Sequence, residues 1–341
     1  MSAESRIVNG RLRGTLLFLA VTLFLPGALA AKPAASGVHS GRLGQGTTWE
    51  TPWQVVESGK PGPTVVVVGG IHGNEPAGYR AALQIQHWPI VKGRLVVLPQ
   101  VNRLGLAANL RWAPDHRNDR TRRDLNRNFP NGDRAGALTP LCQAIWKFIG
   151  DQKPDWVFDL HEGFDFHRLN SKSVGSSVIA FPAQAEFAKA LLKAVNADVP
   201  KERHFDLLAK SGPVRGSLAR ACGEQLGARS FILETTFKDQ PVSLRTRQHR
   251  RMVSTALQRI GLLDRDCVDR LAPETKPGIR RVAIFDDAGA GEGKVLRVLD
   301  KRPELFICHV GPRDLRPAVL EQFDVLVFPG GSGSRQGRAI G

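Results

Sequence analysis

The stretch GGIHGNEPAG, residues 69–78, follows the apolar run PGPTVVVV and sets a histidine and a glutamate three residues apart. His72 and Glu75 are both ligand types that a divalent metal accepts. Gly69, Gly70 and Gly73 let the backbone turn sharply enough for the two side chains to converge. Glu75 precedes Pro76, so its backbone is expected to be extended, with the proline opening a helix. Glu75 then lies at a loop–helix junction rather than on a helical face.

Three other stretches carry chemistry of the same kind: RDLNRNFP (123–130), FDLHEGFDFH (158–167) and FILETT (231–236). His161 stands at the end of a strand pattern, as His72 stands just after one. In open α/β sheets the carboxyl ends of strands build the ligand site. Two histidines and a glutamate on one rim match a catalytic zinc site, with three protein ligands and a fourth position for water. Asp159, two residues before His161, shares its side of the strand and is placed to orient its imidazole. A surface carboxylate at a strand end is the competing reading for Asp159. A histidine and a glutamate at this spacing are more often unrelated surface residues. The ordered set of His-x-x-Glu, Asn-Arg, His and a late strand Glu is what singles out this chain.

The elements that must position these residues alternate. WQVVES and TVVVVGG read as strands, PAGYRAALQIQHW as a helix and GRLVVLPQVN as a strand. TPLCQAIWKFIG reads as a helix capped by Thr139 with Pro140 in its first turn. DWVFDLH and SSVIAF are strands, AQAEFAKALLKAV and VRGSLARACGEQL helices, ARSFILETTF a strand and SLRTRQHRRMVSTALQRIGLL a closing helix. Continuous Val runs bounded by glycine indicate buried, mostly parallel strands with helices on both faces. Residues 103–134 are Arg-dense without a period, a long loop of the functional kind. Residues 31–50 read as a flexible leader, 51–262 as the catalytic domain and 263–279 as a linker. A second α/β pattern follows at 280–341.

Taken together, GG-x-H-G-N-E, D-L-N-R-N-F-P, D-L-H-E and L-E-T resemble the zinc carboxypeptidase superfamily over about residues 50–262. Within it the set is similar to the succinylglutamate desuccinylase/aspartoacylase group and to murein-peptide amidases. The resemblance implies a mixed, mostly parallel eight-stranded sheet flanked by helices, and one zinc ion on His72, Glu75 and His161. It also implies Glu234 as general base, and Asn126 with Arg127 gripping a substrate carboxylate. In the murein-amidase pattern an arginine lies nine residues before the Asn of the Asn-Arg pair. That position is Arg117 here, a candidate to steady the oxyanion, although Arg120, Arg122 and Arg123 crowd the same loop. Digestive carboxypeptidases carry a tyrosine in the loop before the base. The single tyrosine here, Tyr79, stands in the helix after Glu75, which favours the deacylase and amidase branches. His167 reads as an ordinary loop histidine. Residues 280–341 resemble the start of a class I glutamine-amidotransferase-like domain through VAIFDD and DVLVFPGG, a partial flavodoxin-like fold.

Arg6, Arg11 and Arg13, the apolar run TLLFLAVTLFL and the small-residue end at Ala28-Leu29-Ala30 make residues 1–30 a secretory signal peptide. The run is short of the ~20 residues of a spanning helix, so no stable membrane insertion is expected after cleavage. The chain is therefore expected in the periplasm or outside the cell. The net charge of +16 falls to +14 without these residues. No nucleic-acid motif accompanies that charge. Cys142, Cys222, Cys267 and Cys308 allow three pairings or none, and no Cys-x-x-Cys pair exists.

The expected function is an exported zinc-dependent hydrolase cleaving an amide beside a free carboxylate. Peptides come first as substrates, murein stem peptides above all. An N-acyl amino acid deacylase is the alternative, and a non-catalytic metal- or peptidoglycan-binding protein the second alternative.

Overall fold

A computed structural model describes residues 36–208, 212–274, 278–290 and 304–340, with single positions 295, 299 and 302 between the last two. The expected signal peptide lies outside the described residues, as do the start of the leader and most of the helix pattern GKVLRVLD. No helix among the described residues is long and apolar enough to cross a membrane.

The main sheet has eight strands: β1 (Gly37–Leu43), β2 (Thr51–Glu57), β3 (Thr64–Gly69), β4 (Arg94–Leu98), β5 (Trp156–Gly163), β6 (Ser177–Phe181), β7 (Asp206–Leu207) and β8 (Arg229–Thr236). Their order is β1-β2-β4-β3-β5-β8-β6-β7. The centre, β4-β3-β5-β8, is parallel, while β1, β2 and β6 pair antiparallel to their inner neighbours. Helices α1 (Pro76–Ile85), α4 (Ala185–Asn196) and α6 (Val242–Ile260) cover one face; α3 (Pro140–Gln152) and α5 (Leu218–Leu226) cover the other. This explains the four consecutive valines of β3. Val65 and Val67 pack on the first layer, Val66 and Val68 on the second, and all four are fully buried. A strand covered on both faces has no polar side, so alternation disappears.

A second, three-stranded parallel sheet of β9 (Arg280–Phe285), β10 (Leu305–Val310) and β11 (Val325–Val327) has the order β10-β9-β11. It joins the main body through buried polar contacts. Arg250 Nη2 donates to Asp314 Oδ1 at 2.7 Å, Gln84 Nε2 donates to the His309 carbonyl at 3.3 Å, and Arg80 pairs with Asp286.

Three segments differ from their sequence expectation. Residues 37–43, read as flexible leader, form edge strand β1, because β2 offers seven residues of backbone pairing to a chain with little apolar pattern of its own. The 263–279 segment is packed over its described residues rather than loose. Leu263 and Cys267 enter the main core, Leu271 enters the core of the small sheet, and the Arg270 carbonyl accepts from Trp88 Nε1 at 2.8 Å. The 103–134 loop contains a short helix, α2 (Arg103–Ala108), capped by Asn102, and two 3-10 turns at Pro114–His116 and Leu125–Arg127. Thr139 caps α3 as expected, accepting from the Cys142 N–H at 3.2 Å. The four cysteines are buried, unpaired thiols.

Candidate active site

His72 follows β3, and Glu75 is the N-cap residue of α1 with Pro76 behind it. The turn from β3 to α1 that carries both depends on two glycines. Gly70 has φ +76°, a conformation that L side chains rarely adopt. A Cβ on Gly73 would lie 2.0 Å from the Gly105 carbonyl carbon, so the turn fits only because α2 can lie against it. Gly73→Ala should therefore push α2 away and cost about 1–3 kcal/mol of stability, as overpacking does. Thermal melts would show it, together with weaker metal retention.

His161 arrives from the carboxyl end of β5, with Glu234 directly opposite it on β8. His72 Nδ1 lies 2.8 Å from Glu75 Oε1, His161 Nδ1 lies 2.8 Å from Glu75 Oε2, and the two Nδ1 atoms are 3.1 Å apart. Each imidazole turns its other nitrogen to an aspartate. His72 Nε2 is 3.1 Å from Asp124 Oδ1, and His161 Nε2 is 3.0 Å from Asp159 Oδ2. The second contact is close but poorly aligned: Asp159 lacks a well-directed hydrogen-bond donor, so the attraction is chiefly electrostatic.

An aspartate at Nε2 favours a proton there and directs Nδ1 towards a ligand. Both Nδ1 atoms, with both Glu75 oxygens, face one small space. Two Nδ1 atoms 3.1 Å apart need a cation between them, a proton in the metal-free chain or a metal ion in its place. The charge balance points the same way. Glu75, Asp124 and Asp159 stand at the cluster, Arg111 and Arg127 oppose them, and Glu162 is paired separately with Arg245. Although burial opposes charging His161, Asp159 and Glu75 outweigh it and raise its pKa well above that of an ordinary imidazole. Burial likewise opposes ionising Glu75, yet His72 and His161 hold its pKa well below the usual carboxylate range. The site draws positive charge, and His72, Glu75 and His161 form a buried group able to hold a metal ion.

These residues line a cavity of about 350 Å³. Glu234 sits in it, buried, with Oε2 lacking any hydrogen-bond partner. Burial pushes its pKa up to about 8, with His161 opposing and Glu75 adding to the rise. Asn126 and Arg127 line the same cavity. The Asn126 side chain is already engaged: its Oδ1 accepts from the Leu218 N–H at 3.0 Å and its Nδ2 lies 3.2 Å from His161 Nε2. The exposed Arg127 guanidinium is thus the freer substrate contact. Arg117 is exposed beyond the 114–116 turn and does not line the cavity. Arg111 does line it, donating to Glu75 Oε1 at 3.0 Å, with its other nitrogen 3.6 Å from Asp124 Oδ2. His167 also lies outside the lining, its Nδ1 2.8 Å from the Ser173 carbonyl.

Sequence reasoning missed Arg111 and Asp124. Asp124 lay inside a quoted motif, and its signal was an aspartate two residues before the Asn-Arg pair. Arg111 had none, being one of many arginines in an aperiodic loop. Asp124→Asn and Asp159→Asn should each weaken metal binding by roughly 10–100-fold, the range typical of partners behind metal-bound histidines. Competition with a chelating dye would measure this.

Residues 61–258 match the model of the succinylglutamate desuccinylase/aspartoacylase catalytic domain. The chain belongs to that family. A curated relative, the N-alpha-acetyl-L-2,4-diaminobutyric acid deacetylase of Halomonas elongata, is 32% identical over 115 residues, 33% of this chain and 32% of that protein. The cell shape determinant protein Csd4 of Helicobacter pylori superposes with a TM-score of 0.50 at 22% identity, over 61% of this chain and 55% of that one. Its product-bound form gives the same values. The chain thus matches only about a third of the length of the Halomonas relative, 32%, and 55% of Csd4, and the likeness to Csd4 is one of fold, zinc carboxypeptidase-like.

Proposed function

We infer that the chain is a zinc-dependent amidohydrolase cleaving an amide bond in a small substrate that bears a free carboxylate. One observation carries this reading: a buried carboxylate, Glu234, whose Oε2 has no hydrogen-bond partner, shares a cavity with the His72–Glu75–His161 group. Two imidazoles and a carboxylate are a ligand set that suits zinc. When bound, zinc would polarise the scissile carbonyl and make water a better nucleophile. Glu234 accepts the proton of the attacking water and returns it to the leaving nitrogen. Arg127 holds the substrate carboxylate, with the bidentate geometry that a guanidinium provides. Arg111 supplies fixed positive charge beside Glu75 for the oxyanion that develops at the carbonyl.

N-acyl amino acids are the first substrate class. The family match and the deacetylase activity in the name of the Halomonas relative support it. Murein stem peptides are the second reading, favoured by the secretory pattern of residues 1–30, which would deliver the chain to the envelope.

The test is to incubate the zinc-loaded chain with N-acyl amino acids, ordinary peptides and a murein tripeptide, with and without chelator. Mass spectrometry reads the products. Chelator-sensitive release of an acid from acyl amino acids supports the deacylase; release of a terminal residue from peptides shifts the assignment to a carboxypeptidase. No product from any substrate would refute the hydrolase. Arg127→Ala should raise KM at least tenfold for substrates with a carboxylate and leave their methyl esters little changed.

A further inference from the structure

The cavity has two unlike walls. Arg111, Asn126 and Arg127, from the 103–134 loop, make one polar. The other is apolar and begins beside the reacting groups. Ile232 precedes Glu234 by two residues on β8 and so shares its face. Ile179 on β6 lies opposite Ile232 in register, and Leu208 packs against the cluster that they form with Ala219. More exposed apolar residues line the same cavity: Phe164, Val174, Val214 and Phe237 are 50%, 41%, 47% and 40% exposed.

Single exposed hydrophobic residues need no explanation, but several lining one cavity mark a binding surface. These residues line the same cavity as Glu234, so their occupant belongs to the molecule that reaches the site. Among the described lining residues the acidic groups are Glu75, Glu162 and Glu234, all at the base, and the one charge near the apolar side is the exposed Lys172. Among the described residues, that wall offers no carboxylate to receive the ammonium of a diamino acid.

We propose that this wall is a subsite for an apolar acyl chain, making the preferred substrate a medium-chain N-acyl amino acid. The carboxylate of the amino acid lies on the Arg127 side, and the acyl chain runs from Glu234 along Ile232 and Ile179 to Phe164 and Phe237. Water adds to the acyl carbonyl and the C–N bond breaks. The fatty acid leaves with the hydroxyl oxygen, and the amino acid nitrogen takes the proton. This inference rests on the amidohydrolase reading above.

The experiment uses the full chain and N-acetyl-, N-butyryl-, N-hexanoyl- and N-octanoyl-glycine. Each methylene that reaches the apolar wall should raise kcat/KM about fourfold, so octanoyl should exceed acetyl by more than 100-fold. Phe237→Ser combined with Val174→Ser, both partly exposed and so tolerant of a small polar residue, should lower the octanoyl-to-acetyl ratio at least tenfold. Calorimetry with the metal-free chain separates the two readings. Octanoylglycine bound at least tenfold more tightly than acetylglycine by the metal-free chain, with neither turned over by the zinc-loaded chain, would support the subsite and refute the hydrolase. Equal binding and a flat rate series would overturn the subsite even if acetylglycine is hydrolysed.

Discussion

Glu234→Gln should lower kcat by roughly 10²–10⁴-fold, the contribution of a positioned general base, while the protein keeps its metal. The amide is close to isosteric and cannot accept the proton. Its neighbourhood makes the outcome specific. Glu234 faces His161 across the β5–β8 pair, and its Oε2 has no protein donor. No other element relies on this carboxylate for a hydrogen bond through that atom, so its loss should cost chemistry rather than structure. The pH profile gives an independent check. Burial pushes the Glu234 pKa up to about 8, against the pull of His161 and Arg111. A base works only when ionised, so the rate should fall as pH drops through that pKa. A divalent cation on the adjacent ligands favours the ionised form and should move the acid limb below 8. Adding chelator and then restoring zinc at each pH would distinguish this limb from metal loss.

The same shift has a consequence for stability. The folded-state pKa of Glu234, about 8, lies above the value of an unfolded glutamate. Between the two, the folded chain binds more protons than the unfolded chain, so stability falls as pH rises through that window. Glutamine cannot lose a proton there. Metal-free Glu234→Gln should therefore melt higher than the parent at pH 8 and differ little at pH 4. Equal melting shifts at both pH values would mean that the buried carboxylate is not the cause.

The parts legible in sequence were those where one physical cause dominates. Val65–Val68 could be read as a central strand because burial on both faces removes every polar position. Glu75 could be placed at a helix start because proline at the next position restricts it. Strand β1 was not legible. His39, Ser40 and Gly41 are polar or small, and only backbone pairing with β2 orders them. Leu263, Cys267 and Leu271 lack a regular spacing, so their burial came from the surfaces they meet rather than from their own pattern. Choosing among the arginines of residues 103–134 posed the same problem at the site. Charge and spacing left Arg117 as the preference, whereas the turn that carries Trp112 and Ala113 brings Arg111 inward to Glu75. The site's outer contacts are tertiary, while its ligands sit at strand ends and announce themselves.

His161→Ala should abolish both metal retention and turnover, with a larger loss of affinity than the roughly 100-fold upper range for changing a partner behind a ligand. The reason is the number of interactions that meet at this imidazole. Its Nδ1 lies 2.8 Å from Glu75 Oε2, its Nε2 lies 3.0 Å from Asp159 Oδ2, and the Asn126 amide packs at 3.2 Å. Removal leaves Asp159 buried without its imidazole neighbour, so the apo variant should also melt lower. His167→Ala is the matched control. That imidazole lies outside the cavity lining and contacts the Ser173 carbonyl, so metal content and activity should hold. Metal binding to the parent should also release protons and weaken as pH falls. Asp159 and Glu75 overcome the burial penalty and keep His161 protonated above the usual imidazole range, and a cation must displace that proton from Nδ1. Calorimetry in two buffers of different ionisation enthalpy would count the protons released. A metal that binds equally well to His161→Ala, or that releases none, would place the ion elsewhere in the chain.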